Sequence, residues 1–244
     1  MTSKVEMVSV IIPTLNEAGT ILNAINTIEQ HLTYPKEIII VDSNSTDGTI
    51  EIVKNTNCRL IIEPRRGYGI ALRTGMKNAK GNIIIMVDAD GTYEFKHMNS
   101  LVEHLVAKDA DMVLGTRMYD PKKAMGFFNF LGNKVITFWF DFFYAQILSD
   151  SQSGFRAISH DAINNVTFKE TDMAFATEML IQFAREGYTM FEIPTTYKHR
   201  SYGKTKLKPF KSGIQIFSTI FKGILDAQTI RTCQANWKKN RVRR

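Results

Sequence analysis

Residues 82–87 read Asn-Ile-Ile-Ile-Met-Val and stop on Asp88-Ala89-Asp90. An unbroken apolar run that short, rich in β-branched side chains, demands a strand covered on both faces. Four more runs of the same kind occur at 8–12, 37–41, 59–62 and 111–114. Segments with helical spacing lie between them: Ile21, Ile25 and Ile28; Ile50 and Val53; Ile70, Leu72 and Met76; Met98, Leu101, Val102 and Leu105. Strands alternating with short helices require right-handed crossovers. The predicted fold class is therefore α/β, with a mostly parallel, Rossmann-like central sheet flanked by helices.

Ligands of such sheets sit beyond the carboxyl ends of the strands. Here the five runs end on Pro13-Thr14-Leu15-Asn16-Glu17, Asp42-Ser43-Asn44-Ser45-Thr46-Asp47-Gly48, Glu63-Pro64-Arg65-Arg66-Gly67, Asp88-Ala89-Asp90-Gly91-Thr92 and Gly115-Thr116-Arg117. One or two polar strand ends arise by chance; five together predict a site. Carboxylates one residue apart at a strand end, Asp88 and Asp90, suit a hard divalent ion such as Mg²⁺ or Mn²⁺ that shares its oxygen ligands with a phosphate. The same pair can also serve as a polar turn with a helix cap. Asp47 or Thr46 can cap the following helix, whereas Asp42 points to the crevice. Thr14 or Asn16 can cap likewise, and Glu17 faces either solvent or the crevice.

The second half differs. Residues 127–148 hold nine aromatics and read as one long helix or a helix pair. Three roles suit it: a core element, a subunit interface in a homo-oligomer, or a membrane-facing helix. Residues 153–156 mark a turn into a short strand. Residues 175–186 form a helix closed by Gly187. Residues 188–198 make one or two strands around Pro194, and 207–225 an amphipathic helix with a basic start.

Length and composition fit one large domain: 244 residues, 44% hydrophobic and 23% charged. The expected division is one large domain over 1–228, with a break near residue 118, and a basic tail over 229–244. The net charge of +7 suits nucleic acid, an anionic membrane surface or a phosphorylated substrate, or reflects only a solvated tail. No RNP aromatics, zinc spacing or helix-turn-helix pattern supports nucleic acid, so none is expected as a partner. Cys58 is read as opening a buried strand, and Cys58 and Cys233 fit no metal spacing. Residues 1–6 leave no room for a leader, and no apolar run reaches about 18 residues. The expected setting is cytoplasmic, with peripheral attachment to the cytoplasmic face of a membrane.

The ordered set Val10–Glu17, Asp42–Thr49, Arg65-Arg66-Gly67-Tyr68-Gly69 and Asp88-Ala89-Asp90 resembles the family-2 glycosyltransferases of GT-A fold. Gly115-Thr116-Arg117, Asp150-Ser151-Gln152-Ser153-Gly154-Phe155-Arg156 and the 200–207 segment are similar to the dolichyl- and polyprenyl-phosphate hexosyltransferases. The resemblance spans roughly residues 7–210 and implies that the 1–228 domain is catalytic, donor-binding to about 118 and acceptor-binding over about 119–228. It implies a nucleotide-sugar donor held by Pro13, Thr14, Glu17, Asp42, Arg66, Gly67 and Ala89. It implies Mg²⁺ or Mn²⁺ on Asp88 and Asp90. It implies diphosphate and acceptor phosphate among Arg117, Arg200 and Lys206, with Asp90, Arg117 and Arg200 carrying the reaction; in the membrane-facing reading of the aromatic helix, Asn129 and Asn133 contact the acceptor head group. The chain departs from the family's frequent pattern at Ser43, often acidic, and at Thr92, often Gln in mannose synthases. A phosphate acceptor is already an anion and needs cations rather than a general base, which the arginines supply. The expected activity is inverting transfer of a hexose from GDP-mannose, UDP-glucose or a UDP-N-acetylhexosamine to dolichyl or polyprenyl phosphate. The alternatives are a soluble or glycan acceptor and, outside enzymology, a basic lipid- or nucleic-acid-binding protein.

Overall fold

The structure is a computed structural model that describes residues 5–118, 126–198 and 209–224. Arg200, Lys206, His199 and the basic tail lie outside the described residues. Among the described residues, seven strands form one sheet: β1 (Val8–Thr14), β2 (Lys36–Asp42), β3 (Arg59–Ile62), β4 (Ile83–Met86), β5 (Met112–Thr116), β6 (Arg156–Ser159) and β7 (Met190–Pro194). Their spatial order is β3-β2-β1-β4-β6-β5-β7. β6 runs antiparallel to both β4 and β5; every other neighbouring pair is parallel. The helices are α1 (Ile21–His31), α2 (Thr49–Lys54), α3 (Tyr68–Asn78), α4 (Met98–Ala107), α5 (Phe127–Tyr144), α6 (His160–Asn164), α7 (Phe175–Glu186) and α8 (Pro209–Ile224).

The period-2 geometry of the strands sorts their apolar runs into two cores. Ile11, Ile39, Val41, Ile84 and Met86 face one side and pack with α3, α5, α7 and α8. Val10, Ile12, Ile38, Ile40, Ile83 and Ile85 face the other and pack with α1 and α4. This is why the runs do not alternate: both faces are buried. The reading of Cys58 does not hold. It is half-buried before β3, and β3 is an edge strand with Ile62 44% exposed. An edge strand has one neighbour and less helix cover, which an apolar run does not reveal.

Gly75 sets how closely α3 approaches the sheet. A Cβ there would sit 2.4 Å from Ile11 Cγ2, in a fully buried side chain of central β1. Gly75→Ala gains about 1 kcal/mol of helix propensity but overpacks the core by about 1–3 kcal/mol. The net expectation is a loss of roughly 0–2 kcal/mol in urea unfolding; a stabilised variant would refute the close packing.

The aromatic segment forms one helix that stops at Tyr144, where Ala145 takes a left-handed φ of 52° and its N–H closes on Asp141 O. Its inner face, Asn133, Ile136, Thr137, Phe140 and Tyr144, is buried. Phe128, Leu131, Val135, Phe138 and Phe142 recur every three or four residues on the opposite face and are exposed, Phe128 by 86%. α8 extends that face with exposed Ile214 and Phe221, the latter packed on Phe143 at 5.5 Å.

Candidate active site

The chain runs outward from β1 to β2 and β3, then returns to β4 on the other side of β1. That reversal opens a crevice at the carboxyl ends of β1 and β4. Thr14 and Asp42 stand opposite each other in register. Thr14 Oγ1 donates to Asp42 Oδ2 at 2.7 Å, and Ser45 adds bonds from its N–H (2.7 Å) and Oγ (2.6 Å). Asn16, at φ 54°, accepts Thr46 N–H through Oδ1, and its own N–H donates to Ser45 Oγ. Glu17 is buried, with its N–H on Thr49 Oγ1. Asp47 holds both Thr49 and the Ala18 N–H. The loops after β1 and β2 thus form one stitched unit, with Pro13 half-buried beside Thr14.

Glu63, after β3, is buried and takes Arg65 on both oxygens at 2.8 Å and Thr74 Oγ1 at 2.7 Å. The Arg65 bond, then Thr74, brings its carboxyl down to about 2. Arg66 is exposed. Gly67 lies against the 165–174 loop, where a Cβ would meet Thr171 O at 2.2 Å.

Asp88 and Asp90 follow β4 half-buried, with Ala89 between them buried. Thr92 N–H and Oγ1 both bond Asp90 Oδ1, at 3.0 and 2.6 Å. Tyr68 hydrogen-bonds Asp88, and burial followed by that carboxylate pushes its phenol well above the usual value. A Cβ on Gly154 would lie 3.2 Å from Asp88 Oδ2 and 3.1 Å from Tyr68 Oη, so glycine lets this loop close on the acidic pair. Among the described residues, no third His, Cys, Asp or Glu joins Asp88 and Asp90 in a metal-binding group.

Arg117 follows β5. Its Nε and Nη2 bond Asp150 at 2.7 and 2.8 Å, and its N–H adds 3.1 Å. Asp150 is fully buried and also takes Asn133 Nδ2 at 2.6 Å. Burial opposes its charge, but Arg117 and then Asn133 outweigh that and keep its carboxyl below the ordinary range. The structure thus places Asn133 behind Arg117, with Thr137 on its Oδ1. Both side-chain bonds from Arg117 to Asp150 use one edge of the guanidinium, leaving Nη1 outside that pair. Arg156 is fully buried and donates to the carbonyls of Ser153, Ala176 and Ser151 at 2.8, 2.8 and 3.1 Å. Burial lowers its guanidinium to about 10. It shapes the 150–154 turn from within.

The sequence motifs include Tyr68, Asp150, Gly154 and Arg156 but assign them no roles, and they leave out Tyr93 and Tyr197. The local signal for Asp150 is a polar cluster before a short strand. Its pairing with Arg117, across 33 residues, needs the fold.

A model of the family described as glycosyl transferase family 2 matches residues 9–167. The chain is 34% identical over 212 residues to the low-salt glycan biosynthesis hexosyltransferase Agl6 of Haloferax volcanii, covering 84% of this chain and 51% of that protein. It therefore spans about half the length of that relative. It is 28% identical over 218 residues to the dolichyl-phosphate hexose transferase of the same organism, covering 89% and 94%. Its fold is similar to that of glucosyl-3-phosphoglycerate synthase from Mycobacterium tuberculosis, solved in complex with Mn²⁺, uridine-diphosphate and glucosyl-3-phosphoglycerate, with a TM-score of 0.72 at 20% identity over 89% of this chain and 79% of that one. The expected architecture and family both hold, and the chain belongs to glycosyl transferase family 2.

Proposed function

We propose that the chain moves a hexose, with inversion, from a nucleotide-diphosphate sugar to dolichyl or polyprenyl phosphate. The observation that carries this reading is the two-sided helix α5. Its inner face holds Asn133 on the Asp150–Arg117 pair. Its outer face is an exposed aromatic stripe, Phe128 to Phe142. One element thus links a phosphate-binding cation to a surface suited to an isoprenoid chain and a membrane interface. No described helix is long and apolar enough to cross a membrane. Attachment in this reading is peripheral, at the cytoplasmic face, helped by the basic C-terminal residues. The name of the dolichyl-phosphate hexose transferase agrees with the acceptor class.

In this reading the donor half runs to about residue 118. Asp42, Thr14 and Glu17 meet the nucleoside, with Pro13, Arg66, Gly67 and Ala89 along the crevice. The residues after β4 fit a Mg²⁺ or Mn²⁺ ion: two half-buried carboxylates suit a cation that takes its other ligands from diphosphate and water. When bound, the ion offsets the charge of the leaving diphosphate. Asp90 and Asp88 hold it, and Arg117 with Arg200 and Lys206 bind the phosphates. An acceptor phosphate oxygen attacks the anomeric carbon, the bond to the donor diphosphate breaks, and the electron pair leaves with the diphosphate. The acceptor is already anionic, so no general base is required.

The test incubates the protein and Mn²⁺ with GDP-mannose, UDP-glucose or UDP-N-acetylglucosamine, each with polyprenyl phosphate or with 3-phosphoglycerate. A glycolipid from one donor is the expected product. Transfer only to the soluble phosphate would overturn the lipid acceptor, and hydrolysis or transfer from none would overturn the enzyme reading.

A further inference from the structure

The short segment after β7 is bonded both to the end of β5 and to the loop after β4. Thr195 N–H donates to Thr116 O at 3.0 Å, immediately before Arg117. Glu94 N–H donates to Thr196 O, and Lys198 N–H donates to Thr92 O at 2.7 Å. Tyr93 and Tyr197 form an antiparallel bridge, with their rings edge-on at 4.9 Å. Lys198 pairs with Glu94 at 2.7 Å. The strap therefore joins the end of β5 to the loop whose Thr92 holds Asp90.

Tyr197 lies at its centre. Its ring covers the Arg117 guanidinium, with Cζ 5.4 Å from the centroid, while Asp150 holds one guanidinium edge. The Tyr197 phenol also hydrogen-bonds the Thr92 side chain. A planar cation held at an edge and a face has little freedom left. We propose that Tyr197 is a positioning residue that couples the Asp90 loop to Arg117, so that binding of a metal–nucleotide at one also fixes the phosphate-binding cation at the other. This rests on the functional reading above. It adds a residue that contacts Arg117 and the Thr92 turn rather than the reacting atoms, and so sets the geometry between the two sides.

The test compares Tyr197→Phe, which keeps the ring, with Tyr197→Leu, which removes it. Tyr197→Met keeps bulk without a ring and replaces the leucine variant if that one does not fold, as judged by circular dichroism. Two quantities are read: Mn²⁺ affinity by electron paramagnetic resonance in the presence of UDP or GDP, whichever the wild type binds, and kcat with KM for the acceptor. Loss of the ring is expected to weaken Mn²⁺–nucleotide binding about fivefold and lower kcat about tenfold, whereas phenylalanine, which keeps the ring over Arg117 but loses the bond to Thr92, is expected to restore kcat to within about threefold of wild type and to leave Mn²⁺–nucleotide binding weakened. A folded leucine or methionine variant matching wild type in both readouts overturns the coupling, as does a phenylalanine variant as impaired as leucine in kcat. A wild type that binds no Mn²⁺–nucleotide and transfers no sugar overturns the functional reading instead.

Discussion

Replacing Asp90 by asparagine is expected to lower sugar transfer by about three orders of magnitude while leaving the fold in place. Oδ1 of Asp90 accepts two bonds from Thr92, and asparagine can still present an oxygen to both. The amide removes the negative charge that would hold a divalent ion against the leaving diphosphate. Asp90→Ala removes the acceptor as well and costs roughly 1–2 kcal/mol more through the unsatisfied Thr92 groups. The two variants separate the loop's structure from its charge. Initial rates over a Mn²⁺ titration, alongside thermal unfolding, check the pair. Undiminished transfer by the asparagine variant in the presence of a chelator would sink the metal role.

Asp150→Asn should act chiefly on stability. Asp150 is fully excluded from solvent and the Arg117 side chain only 13% exposed, so the substitution strands a buried guanidinium. Breaking a buried pair from one side costs about 3–5 kcal/mol, far above the value of an exposed bridge. Urea unfolding at neutral pH reads this directly; a loss below about 1 kcal/mol would show that the pair does not anchor the fold. The pH dependence follows from the depressed carboxyl of Asp150. Its contribution is fully present above the unfolded carboxylate value of about 3.9 and is lost as pH falls through the lower folded value. Wild type should therefore lose stability below about pH 4, and the asparagine variant should lose less over that range. Transfer should fall too, because Arg117 loses the partner that orients it.

Much of the donor side is legible in the order of residues alone. The run Ile83–Met86 is buried on both faces, as its unbroken apolar character requires, and the polar residues after β1, β2 and β4 gather where strand ends must gather. The acceptor side is less so. On its helical position Asn133 reads as a ligand-facing polar residue among aromatics, yet its amide is bound to Asp150. Tyr197 reads as part of a strand near Pro194, yet its ring covers Arg117.

The reason lies in what each pattern encodes. Hydrophobic period and turn chemistry are local, so the amino-acid sequence by itself determined the strand-and-helix alternation, the crevice and the Asp88–Asp90 pair at its edge. Which strands become neighbours is a matter of nonlocal packing. Only the tertiary structure inserted antiparallel β6 between β4 and β5, which brings the 150–156 turn against Asp88 and Arg117. A buried charge needs a partner within hydrogen-bond reach, and that partner is chosen in space, not by spacing along the chain.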